Sequence, residues 1–465
     1  MLRQSQKISN GVKLSFYGSS QEITGSCFLL ETRRAKLLVD CGLFQGSKFC
    51  ETLNEEPFSF NPQNIDALIV THSHIDHIGR IPKLVKDGFQ GQIFSTPATR
   101  EFAELMLLDS MGVLEKQARK ENKKIIYAGE DVELAMSRWK SVEYHQEFEI
   151  GNLKIILKDA GHILGSAMVE IEHSESNSAK NKKIVFTGDL GNPPTPLLKP
   201  TEDITDANIL VIDSTYGDRL HEDKKERRLK LERIIEDTIR LKGILMIPAF
   251  SLERTQELLF ELNTLVEKGR IPFVPFFLDS PLAIKATEIY KKYERYYNKE
   301  AKYIMSEGDE LFQFPGLKYT LTTEESKSIN DIPPPKIIMA GSGMLAGGRI
   351  IHHTKRYLSD PNSTLLFVGY QAKGSLGRLI KDGAKKVNIL GEEIAVGARI
   401  ETINGYSAHP DSDQLFNFVK RSSDTIEKIF AVHGEPEPLS SIIQRIRDHL
   451  GLDAIAPNFK DSFEI

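Results

Sequence analysis

The chain has 465 residues, enough for two or three domains with separate cores. At 40% hydrophobic and 27% charged residues its composition is that of a soluble globular protein, and no run reaches the ~18 apolar residues of a membrane span. A net charge of −5 neither advertises nor excludes a polyanionic partner, because a local cation-lined surface can act against a mildly acidic average.

The segment Met1 to Lys7 is polar and lacks the apolar core of a signal peptide, so a cytoplasmic location is expected. Short strands with turns follow, at Lys13–Tyr17, Ser26–Glu31 and Ala35–Asp40, the last running into Asp40-Cys41-Gly42. Cys27, Cys41 and Cys50 are too few and too irregular for a disulfide framework or a paired Cys zinc site. Cys27 and Cys41 read as small core residues.

The apolar run Ile65–Val70 reads as a buried strand, and Thr71-His72-Ser73-His74-Ile75-Asp76-His77-Ile78-Gly79 follows it directly. With 12 histidines in 465 residues, a His-x-His-x-x-His pattern arises by chance with a probability of about 0.01. Imidazole nitrogen and carboxylate oxygen are the donors that Zn²⁺ favours. Leaving a strand end, His72 and His74 alternate and can face one cation, whereas Asp76 and His77 sit where a helix starts and can face a second. This stretch cannot fill a tetrahedral site alone, so further ligands must come from elsewhere.

A helix near Arg80–Asp87, a strand at Gln92–Ser95 and helical periodicity over Pro97–Asn122 and Glu130–Arg138 come next. After the strand Leu153–Lys158 stands His162, flanked by Gly161 and Gly165, which let the backbone pass close to a neighbour. By itself a loop histidine is more often a packing residue than a ligand. The strand Lys183–Phe186 ends in Thr187-Gly188-Asp189-Leu190-Gly191, and Ile209–Ile212 ends in Asp213-Ser214-Thr215-Tyr216-Gly217, each placing a carboxylate at a strand end.

After Asp213 the texture changes. His221–Lys242 reads as a charged helix, with Lys224-Lys225 and Arg227-Arg228 on a solvated face. Strand Ile244–Pro248, helix Leu252–Val266, strand Pro272–Leu278, helix Pro281–Tyr297, strand Ile337–Ala340, helix Arg349–Ser359 and strand Thr364–Val368 alternate as a parallel α/β domain. Ser306–Pro335 reads as irregular. The clusters Gly341-Ser342-Gly343-Met344 and Gly374-Ser375-Leu376-Gly377-Arg378 follow strands, where backbone amides can line a phosphate site. Further on, Ser407-Ala408-His409 precedes a helix to about Lys420. The strand Lys428–Val432 runs into His433-Gly434-Glu435, and a helix at Leu439–His449 closes the reading. His145, His173, His221, His352, His353 and His449 lack such settings and read as surface or packing residues.

Collected in order, His72-Ser73-His74-Ile75-Asp76-His77, His162 and Asp189, then Asp213 in Asp-Ser-Thr-Tyr-Gly, His409 in Ser-Ala-His and His433 in Val-His-Gly-Glu, resemble the metallo-β-lactamase superfamily and its β-CASP nucleases. The nearest likeness is to bacterial and archaeal relatives of the cleavage and polyadenylation endonuclease, without N-terminal KH modules or a long C-terminal extension. The resemblance implies an α/β architecture: a four-layer αββα sandwich formed by residues 1–213 and 396–465, with a parallel β-CASP domain at 214–395 inserted. It implies two Zn²⁺ per chain, one held by His72, His74 and His162 and the other by Asp76, His77 and His433, with Asp189 bridging.

Hydrolysis of a phosphodiester by water activated between the two ions would follow. Asp76, Asp213 and His409 are the catalytic candidates, His409 as general acid held by Asp213. Ser407 would touch the scissile phosphate, and the inserted domain would confine a single strand. Ser342, Gly343, Arg254, Lys373, Ser375 and Arg378 are candidate phosphate contacts. Family members acting on DNA tend to carry Val where His433 stands, so single-stranded RNA is the expected partner, with no membrane and with a homodimer as an allowed assembly. The rivals are a hydrolase of a small thioester or lactam and a non-catalytic RNA-binding member. The long insertion argues against the first and the complete ligand set against the second.

Overall fold

The computed structural model describes residues 11–46, 48–174, 181–369, 371 and 374–465. The polar N-terminal segment and Lys373 lie outside them. The chain divides into two compact units, one of residues 1–193, 200–220 and 409–465, the other of residues 194–199 and 221–408.

The first unit is built on two seven-stranded sheets. One has the order Ser462–Glu464, Lys13–Phe16, Phe28–Glu31, Lys36–Val39, Ala67–Ile69, Gln92–Ser95 and Trp139–Ser141. The other has the order Ala454–Ile455, Lys428–Val432, Ile209–Asp213, Lys182–Phe186, Ala167–His173, Leu153–Asp159 and Phe148–Ile150. Alternation decides which face goes inward: Leu153, Ile155 and Leu157 are buried while Lys154, Ile156 and Lys158 are partly exposed. The inner faces share one core, with Leu14, Phe16, Leu30, Leu37 and Ile69 from the first sheet against Ile155, Val169, Ile184, Val211 and Phe430 from the second. On the outer face of the first sheet Leu38, Leu68 and Ile93 pack on Ile81, Leu84, Leu107 and Val132 of the helices Ile81–Lys86, Pro97–Glu121 and Gly129–Ser137. On the outer face of the second, Leu210, Ile212 and Ala431 pack on Leu415, Phe418, Leu439 and Ile442 of Ser412–Arg421 and Pro436–Leu450. This is the four-layer αββα arrangement.

Parallel pairing positions the polar loops. Lys36–Val39 pairs in parallel with Ala67–Ile69, and Lys182–Phe186, Ile209–Asp213 and Lys428–Val432 are successive parallel neighbours. Parallel strands in register bring their carboxyl ends level. Asp40, the His72 loop, Asp189, Asp213 and His433 all stand at such ends.

The second unit carries a six-stranded parallel sheet in the order Leu317–Tyr319, Phe276–Leu278, Lys336–Ala340, Ile244–Pro248, Thr364–Phe367, Arg399–Thr402, and a hairpin of Lys386–Ile389 and Glu392–Ala395. Three expectations change here. The stretch Ser306–Pro335 is not irregular: it holds the edge strand Leu317–Tyr319 and the helix Thr323–Ser328, started by a capping box of Thr322 and Glu325. Only Phe276–Leu278 of the expected Pro272–Leu278 is strand, because Pro272 and Pro275 have no N–H to give a ladder. The helix from Pro281 ends at Lys292, and a 3₁₀ turn at Glu294–Tyr296 follows. No helix among the described residues is long and apolar enough to cross a membrane.

Candidate metal centre

The first unit gathers its imidazoles and carboxylates into two adjoining clusters. In one, His72 Nε2 lies 3.1 Å from His74 Nδ1, and His162 Nε2 lies 3.3 Å from the same atom. Asp189 Oδ2 is 3.4 Å from His72 Nε2 and 3.5 Å from His162 Nε2. A tetrahedron of ~2.0–2.1 Å zinc bonds has edges of about 3.3 Å, so this donor set has the size of one coordination sphere. In the other cluster His433 Nε2 is 3.2 Å from Asp76 Oδ2, and Asp189 Oδ1 is 3.2 Å from His77 Nε2 and 3.7 Å from His433 Nε2. The two oxygens of Asp189 therefore face different clusters. Its Oδ1 is buried without a hydrogen-bond partner, a costly arrangement unless a cation completes it. The donors fit a metal site.

Glycines let the loops meet. A Cβ on Gly188 would lie 2.7 Å from Thr71 Cβ, and one on Gly191 would lie 2.0 Å from the Gly161 carbonyl oxygen. The Asp189 loop thus rests on the His72 loop at one glycine and on the His162 loop at another. His433 and Asp40 are held at positive φ, 55° and 60°, a conformation unusual for residues with a Cβ and one that concentrates at functional sites.

Several partners escaped the sequence reading. Asp40 accepts from Thr71 N and Thr71 Oγ1, both at 2.8 Å, and its Oδ2 is 2.7 Å from His77 Nδ1. With the Thr71 hydroxyl donating to Asp40, its oxygen accepts from His72 Nδ1 at 3.1 Å. On the opposite side Thr215 Oγ1 donates to Asp213 Oδ1 at 2.6 Å and is 3.1 Å from His433 Nδ1. Each of these contacts takes up an Nδ1–H and leaves the Nε2 lone pair directed into the centre. Asp40 was legible in principle, since Asp-Cys-Gly ends a strand just as the Asp189 and Asp213 segments do. An Asp40→Ala variant will bind its metal about 10–100-fold more weakly, measured by competition with a chromogenic chelator.

Burial, then the charge of neighbouring imidazoles, pulls His72 down to about 4 and His74 down to about 3, and holds His162 well below the ordinary histidine range. These three stay neutral, as metal coordination requires. At His77 and His433 burial acts the same way but is outweighed. Asp189 and Asp40 raise His77 well above its usual range, and Asp189, the Asp76 hydrogen bond and Asp213 push His433 up to about 9. Without a metal the second cluster takes its positive charge as protons, which a divalent cation would displace.

Beside the centre, His409 Nδ1 is 2.9 Å from Asp213 Oδ2, and Asp213 is further fixed by the backbone N–H groups of Leu190 and Thr215. The ring of His409 lies 4.7 Å from that of His162, centroid to centroid. The preceding segment belongs to the second unit. There Tyr406 is fully buried, its hydroxyl donates to Glu261, and Arg227 bonds both Glu261 and the Gly405 carbonyl. Arg227, expected on a solvated face, is instead buried by this network. Arg254 is also buried, bonded to Glu257 and set over the Tyr406 ring. Of the other phosphate candidates, Arg378 is part-exposed and paired with Asp382 at 2.8 Å, and Ser375 caps the helix Leu376–Lys381. Ser342 Oγ accepts from Ala346 N at 3.0 Å, Gly343 lies against Phe250, and Ser407 is part-exposed.

Three family models match: a metallo-beta-lactamase superfamily domain over residues 29–188, a Beta-Casp domain over 255–380, and a Zn-dependent metallo-hydrolase RNA specificity domain over 393–457. Ribonuclease TTHA0252 of Thermus thermophilus is 37% identical over 92% of this chain and 94% of its own length. The transcription termination factors FttA of Methanosarcina mazei and Methanocaldococcus jannaschii are 33% and 32% identical, over 96% and 94% of this chain and 70% and 69% of theirs. A crystal structure of a protein of unknown function from Enterococcus faecalis V583 shares the fold, with a TM-score of 0.54 at 11% identity, covering 98% of this chain and 100% of that one. The chain belongs to the metallo-β-lactamase superfamily and, within it, to the β-CASP family of metal-dependent hydrolases.

Proposed function

We propose that the chain is a zinc-dependent ribonuclease that hydrolyses phosphodiester bonds of single-stranded RNA in the cytoplasm. The observation that carries this reading is the double-faced Asp189 between two clusters of ligand size, beside an Asp213–His409 pair. The name of the 37% identical relative, a ribonuclease, supports the choice of substrate. His72, His74, His162 and Asp189 would hold one Zn²⁺, and Asp76, His77, His433 and Asp189 the other. When bound, such a pair lowers the pKa of water to near neutrality and offsets charge developing on phosphoryl oxygens.

The remaining chemistry belongs to the side chains. Asp213 accepts the Nδ1–H of His409, which fixes the tautomer and turns Nε2 outward. From there a protonated His409 would deliver its proton to the departing ribose oxygen. Ser407, two residues earlier, would donate a hydrogen bond to the scissile phosphate. Asp213 is kept ionised: burial opposes this, but the charge and hydrogen bond of His409 hold its carboxyl below the usual range.

The test is incubation of the purified, zinc-loaded protein with 5′- and 3′-labelled single-stranded RNA and matching DNA. RNA will be cut, DNA will be cut slowly or not at all, and chelator will stop the reaction. Turnover of thioesters or β-lactams with intact RNA would overturn the proposal. The two label positions read the polarity of cleavage from the product ladder.

A further inference from the structure

The second unit holds a feature that neither the metal centre nor the acid pair uses. Phe250, directly after the central strand Ile244–Pro248, is 39% exposed. An exposed apolar residue is unremarkable by itself. The surroundings of this one are not.

The chain leaves Ile244–Pro248 toward one edge of the sheet, where the next strand is Phe276–Leu278. It leaves both neighbouring strands, Lys336–Ala340 and Thr364–Phe367, toward the other edge. With right-handed crossovers the connections depart to opposite faces and open a crevice at the carboxyl ends, where open parallel sheets bind ligands. The segments after these three strands are the ones that meet at Phe250. A Cβ on Gly343 would lie 2.7 Å from the ring, and one on Gly369 would lie 3.2 Å from it. The ring therefore touches bare backbone from the loops of both neighbouring strands along its Cδ2–Cε2 side, and 39% of the residue stays exposed. Thr255 Oγ1 donates to the Phe250 carbonyl at 2.7 Å and fixes the turn that presents it. Hydroxyls of Ser251 and Ser280 lie beside Gly341 in the same crevice. By contrast Phe273, at 72% exposed, precedes its strand and stands at the opposite, amino end of the sheet.

We propose that Phe250 is a stacking platform for one unpaired base of a single-stranded RNA, its ring supported from below by Gly343 and Gly369. An aromatic face accepts any base, and the glycine floor keeps the ring flat without covering it. The inference rests on the ribonuclease reading and adds to it a substrate contact on the β-CASP domain.

The experiment uses zinc-loaded full-length protein carrying His409→Ala, so that binding is read with little cleavage, and a labelled single-stranded RNA. Adding Phe250→Ala will weaken binding about 5- to 150-fold, the range of one base–aromatic stack. Phe250→Trp will bind as the parent does. Gly343→Ala, which displaces the ring, will behave as Phe250→Ala. An RNA carrying abasic sites throughout will bind parent and Phe250→Ala equally. Equal affinity of Phe250→Ala and parent for intact RNA, in a protein whose wild type cuts RNA, would overturn the platform and leave the ribonuclease reading standing. A wild type that neither binds nor cuts RNA would remove both.

Discussion

Replacing His409 by alanine will leave the zinc content unchanged and lower the cleavage rate about 10²–10⁴-fold, the typical contribution of a positioned general acid. The separation of the two effects follows from geometry. His409 also lies within ligand range of Asp189 and His433, but His72, His74 and His162 complete the first cluster with Asp189, and the second is complete in Asp76, His77, His433 and Asp189, so removing His409 leaves four donors to each. What is lost is the imidazole that Asp213 orients. A substrate with a leaving group of low pKa needs no protonation and will be cut by the variant at nearly the parental rate. Plasma emission spectrometry for zinc, together with rates on both substrates, checks the prediction. Loss of zinc, or an equal loss on both substrates, would assign His409 to the metal centre instead.

Asp189→Ala will have the opposite signature: both metal stoichiometry and activity will collapse. Each oxygen of this carboxylate faces a different cluster, so one substitution removes a donor from both. It also leaves several buried imidazoles converging without the anion between them. In the parent, that anion is held well below the usual carboxylate range; burial opposes ionisation, and the charges of His433 and His77, with a hydrogen bond from His72, outweigh it. Asp189→Asn is the informative companion, since it preserves volume and removes the charge. It should retain at most one equivalent of zinc and lose at least as much rate as His409→Ala. Retention of two tightly bound zincs by Asp189→Ala would show that this residue does not bridge.

Much of the centre could be read from the sequence because its chemistry is written in residue type at strand ends. His72 to His77, His162, Asp189, Asp213 and His433 each follow an apolar run, and the structure brings them together. Asp40 escaped because its role depends on a neighbour in space: only the parallel pairing of Lys36–Val39 with Ala67–Ile69 sets it beside Thr71 and His77. Arg227 was misjudged, and the burial of Arg254 went unforeseen, for a related reason. Their sequence neighbourhoods are charged, but Glu261, Glu257 and Tyr406 draw them inside, and no local pattern announces a buried ion pair. The parallel α/β character of the second unit was legible from alternating strands and helices, whereas the four-layer sandwich was expected only from the family resemblance of the motifs. Edge strands of three or four residues, such as Leu317–Tyr319 and Arg399–Thr402, were not, because so short a run carries too little periodicity to register.

Asp76 and His433 lie 357 positions apart, one donated by each sheet of the sandwich. A polypeptide that has been made, or clipped, to a point just ahead of His433 would carry the second cluster one ligand short and have no means of finishing it. Competence to break a nucleic-acid backbone is thereby withheld until nearly all of this sequence has been made and both layers have closed on each other.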